Sequence, residues 1–93
     1  MLWIEVLEID DHIVDKLQSR HGVEIEEVWE VCVSSSGSLR RGRQGLYKVF
    51  GQTDAGRYLL VVLASIGAGT WKVVTARDMT DSERRLYYRD RGE

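Results

Sequence analysis

The run from Arg57 to Ile66, RYLLVVLASI, is mainly apolar at both alternating sets of positions: Tyr58, Leu60, Val62, Ala64 and Ile66 against Leu59, Val61 and Leu63. A strand apolar on both sides must be covered on both sides, so the pattern predicts a central strand. Turn signals flank it, Asp54-Ala55-Gly56 before and Gly67-Ala68-Gly69 after. Each suits a hairpin connection, the first with Gly56 at positive φ. Leu46 to Gln52 (LYKVFGQ) and Thr70 to Arg77 (TWKVVTAR) then become its neighbours in an antiparallel three-stranded meander.

Upstream, Met1 to Glu8 alternates Leu2, Ile4 and Val6 with Trp3, Glu5 and Leu7, which predicts a first strand at or near an edge. Asp10 or Asp11 suits a helix N-cap. The helix should run to about Arg20, with Ile13, Leu17 and, as a further candidate, Val14 inward and Gly22 as a left-handed terminator. From Glu24 to about Val33, Ile25, Val28, Trp29 and Cys32 fall at i, i+3, i+4 and i+7 while the glutamates take the wet sides. A small polar loop, Ser34 to Ser38, follows. Near the end, Thr80-Asp81-Ser82-Glu83 fits a capping box opening a helix through Tyr88, with Leu86 and then Tyr87 as inner candidates. The order is strand, two helices, three strands, helix, an α+β arrangement, and 93 residues suggest a single domain over 1–93.

The lone Cys32 excludes an internal disulfide and a multi-cysteine zinc site, and its place at the C-terminal end of a helix predicts a core thiol rather than a nucleophile. No apolar run is long enough to span a bilayer. The opening MLWIEVLEID lacks a positive n-region, so a cytoplasmic location is expected. Charge is divided along the chain. Residues 1–33 hold nine acids against two bases, a net of -7, and residues 34–93 hold eleven bases against six acids, a net of +5. One side would then suit polyanions, unless the charges pair internally.

Arg40, Arg41 and Arg43 lie among Gly42 and Gly45, where they could grip phosphates or keep a sheet edge soluble. Arg84, Arg85, Arg89 and Arg91 make the last helix basic, in part as its dipole favours. Tyr47, Tyr58, Trp71, Tyr87 and Tyr88 could stack bases or fill the core; core packing is the expectation for Trp3, Trp29 and Tyr58.

His21-Gly22 after a short helix, a second helix within a few residues, GQTDAGRYLLVV at 51–62 and VVTARDMTDSERRLYY at 73–88 together resemble the BrnT family of the RelE/ParE toxin superfamily, over Asp10 to Tyr88. The resemblance implies a RelE-like fold with helices packed on one sheet. It also implies a type II toxin whose ribonuclease activity inhibits translation, neutralised by a cognate antitoxin. Expected partners are that antitoxin, RNA and, as an alternative, a second copy of the chain; no cofactor, metal or membrane is expected. Matching positions are Arg20, His21, Arg57, Lys72, Arg77, Glu83 and Arg84. The chain departs from the pattern at Ile9-Asp10, Ile13 and Leu17, where the family has Trp-Asp with a Lys and an Asn. It departs again at Ala64-Ser65-Ile66, where many members have Thr-Glu-Arg.

Metal-independent RNA cleavage needs a base for the 2′-OH, cations for the phosphate and an acid for the leaving oxygen. The catalytic candidates are His21 as base with Arg77 and Lys72; Arg40, Arg41, Arg43, Arg57 and Arg84 are the candidate RNA contacts. His12 falls in the first turn of its helix. By period-two counting Arg77 shares a face with Trp71, and Lys72 lies on the other, unless a strand bulges. Arg77 could instead form a salt bridge to Glu83 or to an acid of the first helices. The alternative function is a RelE-like domain without catalysis that binds a protein or nucleic acid through its basic second half.

Overall fold

The structure, a computed structural model, describes residues 4–33 and 38–90. Strand β1 is Val6–Glu8, α1 is Asp11–Lys16 and continues as a π-helical turn over Leu17–His21, and α2 is Ile25–Val33. Four strands follow, β2 Ser38–Arg41, β3 Leu46–Gln52, β4 Tyr58–Gly67 and β5 Thr70–Asp78, and then α3 Asp81–Asp90. The sheet order is β1-β5-β4-β3-β2, with β1 parallel to β5 and every other pair antiparallel. The meander and the edge position of β1 are as the pattern predicts. The part of the first strand assigned to Met1, Leu2 and Trp3, and the loop over residues 34–37, lie outside the described residues.

Strand β4 sits at the centre and is covered on both sides, which is why both of its faces are apolar. Leu59, Val61 and Leu63 pack with Leu17, Val28, Val31, Cys32, Trp71 and Val73 beneath the first helices. Leu60 packs on the opposite side with Phe50, Met79 and Tyr87 of α3. The helices therefore cover both faces of one sheet. The α2 stripe is rotated from the expected one: Val31 is 0 % exposed and Trp29 37 % exposed. Cys32 is buried as expected, and burial pushes its thiol up to about 12, so it is inert at neutral pH.

Close packing of α2 on β3 depends on Gly51, where a Cβ would stand 2.9 Å from Val31 Cγ1. The first helix ends at Gly22, left-handed with φ of 60°, and Gly56 is at φ of 96°. Asp10 occupies the N-cap position, but its carboxylate makes no cap hydrogen bond. It reaches Lys72 Nζ at 3.0 Å instead. The capping box on α3 forms as predicted: the Glu83 amide donates to Thr80 Oγ1 at 3.2 Å, and the Thr80 amide donates to Glu83 Oε1 at 2.9 Å.

Strand β2 is absent from the sequence pattern, because four residues reading Ser-Leu-Arg-Arg carry no apolar alternation. They are held as a strand by register with β3, Leu39 opposite Val49 and Arg40 opposite Lys48. The hairpin closes through Gln44 and Gly45 at φ of 57° and 76°, with the Leu46 amide donating to the Arg43 carbonyl at 3.1 Å. That is the two-residue turn with both central residues left-handed, which asparagine tolerates better than glutamine. Gln44→Asn is accordingly expected to stabilise the fold by about 0.5 kcal/mol, read as a higher urea midpoint at unchanged slope.

Candidate functional site

Each sequence-predicted cation can be placed by what its donors already hold. Arg57 opens β4 beside a buried Thr53, whose Oγ1 accepts the Arg57 amide at 3.0 Å. A guanidinium has five N–H donors, and here all are engaged. Nε and Nη2 grip Asp78 at 2.7 and 3.1 Å. Nη1 donates to the Gly22 carbonyl at 2.7 Å and to Glu27 at 3.1 Å, and Nη2 to the His21 carbonyl at 2.9 Å. The two carbonyls are those a helix leaves unpaired at its end, so Arg57 caps the π-helical turn from outside. The bidentate hydrogen bond from Arg57 holds the Asp78 carboxyl below its ordinary range, with a smaller pull from the His21 imidazole. The structure thus makes Arg57 a clamp joining the helical hairpin to the meander, with all five donors engaged within the chain. His21 is half-buried at this clamp.

Arg77 is also committed. Its Nη1 and Nη2 meet Glu83 at 2.8 and 2.9 Å, and Nη1 donates further to the Asp78 carbonyl at 3.0 Å. Glu83 is held below its ordinary carboxyl range first by that contact and then by the Thr80 amide. The salt-bridge reading of Arg77 is the observed one.

The face assignment changes because β5 carries a bulge. Leu63 pairs with Val73 and Val62 with Thr75, leaving Val74 as an extra residue. The alternation flips there. Trp71 lies in the core under the first helices while Arg77, paired with Leu60, turns to the α3 face. Lys72, paired with Ala64, falls on that same α3 face, five residues and so about 17 Å along the strand from Arg77. Lys72 therefore stands at the other end of β5 beside Asp10, apart from Arg77, whose chain neighbour Asp78 belongs to the clamp at His21.

Two aromatic assemblies carry further arginines. Arg84 lies 4.5 Å from the Tyr58 ring centroid, and the Tyr58 and Tyr88 hydroxyls are hydrogen-bonded to each other. Arg41 stacks over Tyr47 at 5.7 Å, and Tyr47 meets Trp71 edge-on at 5.1 Å. Arg40 lies in β2 opposite Lys48.

What the sequence reading did not find is a groove of about 640 Å³ beside the β2–β3 hairpin, lined by Arg41, Gly42, Arg43, Gln44, Leu46, Lys48 and Val62. It contains no acid. Lys48 sits across from Val62, and Leu46 from Ala64, so Leu46, Ala64 and Lys72 form one row across the α3 face of the sheet. The available signal was Lys48 itself, a cation interrupting the apolar run of β3 between Tyr47 and Val49. Among the described residues no group of His, Cys, Asp or Glu is arranged to hold a metal ion. None of their helices is long and apolar enough to cross a membrane.

No family model matches the chain, and no curated protein does. Among solved structures, the Brucella abortus ribonuclease toxin BrnT is similar with a TM-score of 0.68. The likeness covers 84% of this chain and 99% of that one at 11% sequence identity. The chain thus has a BrnT-like α+β fold, with one five-stranded sheet and three helices.

Proposed function

We propose, proceeding from the BrnT-like fold, that this chain is a ribonuclease toxin. It would cut RNA without a metal ion, in the cytoplasm, so as to inhibit translation, and be neutralised by an antitoxin in a type II system. The observation that carries the reading is the extent of the likeness, which takes in nearly all of a ribonuclease toxin and most of this chain. The division of charge is compatible with it: the basic second half supplies cations for a polyanion, and the acidic first third suits a basic partner. In this reading Arg43 and Lys48 meet the phosphates, while Arg57 and Arg77 hold the frame.

A second reading draws on a specific observation. Lys72 lies at the other end of β5 from Arg77, and Arg77 and Lys72 are both paired with acids. This favours a domain that keeps the fold and binds a partner without cutting RNA.

Induced expression of the chain alone separates the two. The toxin reading expects growth arrest with fragmentation of total RNA on a denaturing gel. The binding reading expects unimpaired growth and intact RNA at the same expression level.

A further inference from the structure

The groove beside the β2–β3 hairpin combines cations with half-buried apolar side chains and has no acid in its lining. Three cations, Arg41, Arg43 and Lys48, line it; Arg41 stacks over Tyr47, and no ion pair among the described residues engages Arg43 or Lys48. Two half-buried apolar side chains, Leu46 and Val62, line it as well. Arg43 is placed by the tight turn that its own carbonyl closes. Lys48 projects from the middle of β3, between Arg40 on one side and Val62 on the other. The cations are thus fixed at one end by a hairpin turn and at the other by a sheet.

We infer that this groove binds single-stranded RNA, with Arg43 and Lys48 on successive phosphates and an unstacked base lying against Leu46 and Val62. The choice of RNA rests on the ribonuclease reading above; the groove's chemistry supplies the rest. Phosphates call for cations without competing carboxylates, and the lining has none. Bases have apolar faces that an apolar floor accepts, but only in a strand whose bases are free to turn outward. A duplex offers its backbone alone and would leave Leu46 and Val62 against water. A volume of about 640 Å³ is within the usual range for small-molecule sites and has room for about one or two nucleotides.

The test is fluorescence anisotropy with a labelled 2′-O-methyl RNA of a dozen nucleotides, single-stranded or annealed to its complement, over a series of salt concentrations. Lacking a free 2′-OH, this probe reports binding without cleavage. The unaltered chain is expected to bind the single strand at least tenfold more tightly than the duplex. Arg43→Gln/Lys48→Gln should weaken single-strand binding at least tenfold and flatten the slope of log K against log salt by about 1.4, two phosphate contacts at about 0.7 each. Val62→Ser should weaken binding with the slope unchanged, since it removes no charge. Circular dichroism of each variant confirms that folding is kept. Equal binding by the double variant, equal binding of the duplex, or no binding of the single strand at low salt overturns the inference.

The growth assay reports separately on the toxin reading. Arrest and RNA fragmentation without groove-dependent binding would remove the groove and leave the toxin. Groove-dependent binding by a chain that neither arrests growth nor fragments RNA would do the reverse.

Discussion

Arg57→Ala is expected to lower stability by about 2–4 kcal/mol, measured by urea unfolding at neutral pH. The size follows from what the side chain leaves behind. Two backbone carbonyls at the end of the π-helical turn lose their donors, and the half-buried Glu27, its side chain 23% exposed, loses its cation. Asp78 contributes less, because its side chain is 62% exposed and water replaces much of the pairing. Acid titration distinguishes the electrostatic share. The folded-state pKa of Asp78 is depressed, so its contribution is present above the ordinary carboxylate range and is lost as pH falls below about 4. The difference between Arg57→Ala and the unaltered chain should therefore narrow on acidification. A constant difference down to acid unfolding would mean that the carbonyl contacts account for the whole effect.

Arg57 also illustrates how far the sequence could be read. Its position after a hairpin turn was legible, and so was the double apolar face of β4 that follows, because both depend on local pattern. Its partners were not, since Gly22, Glu27 and Asp78 are brought together only by tertiary folding. The same division runs through the chain. The Thr80–Glu83 capping box, the Gly22 terminator and the bounds of Leu46–Gln52 are short-range and were recovered. Strand β2 was missed because an edge strand with one partner needs no apolar periodicity. The sequence pattern favours Trp29 over Val31 for the core because both choices keep a helical stripe apolar, and only the contact with β3 decides between them. Asp10, one of the two candidate caps, does take the N-cap position, but its carboxylate goes to Lys72, a partner from a strand 62 residues away in sequence. Of the candidate site, the cluster of Arg40, Arg41 and Arg43 is legible in the sequence; the hairpin that carries it and the apolar floor from Leu46 and Val62 emerge only when the strands are set in register.

Gly51→Ala is expected to destabilise by about 1–3 kcal/mol. The added methyl would stand 2.9 Å from Val31 Cγ1 and 3.5 Å from the Val31 carbonyl oxygen, with Val31 itself 0 % exposed. A strand interior ordinarily favours alanine over glycine by roughly 0.5–1 kcal/mol in backbone entropy, so the strain must exceed that gain. It should, because the atom at 2.9 Å belongs to Val31, a short β-branched side chain that is fully buried and has little freedom to turn aside. Combining the change with Val31→Ala provides the check. Removing the nearer methyl should make the double variant lose less than the sum of the two single losses, a favourable coupling between neighbours. Strict additivity in urea unfolding would place the cost elsewhere than in this contact.

The extra residue at Val74 reaches beyond the strand that carries it. Without it, β5 would keep one phase from end to end, Ala76 would turn toward α3 and the Arg77 guanidinium would point into the layer beneath the first helices. The bulge therefore decides whether a methyl group or a cation meets Glu83. Two proteins of this architecture, one bulged and one not, could offer the same cation at the same point in space from strand positions that differ by one. Substitution and insertion are then interchangeable routes to one surface, and a functional arginine can survive in place while its counterpart in another chain drifts along the sequence.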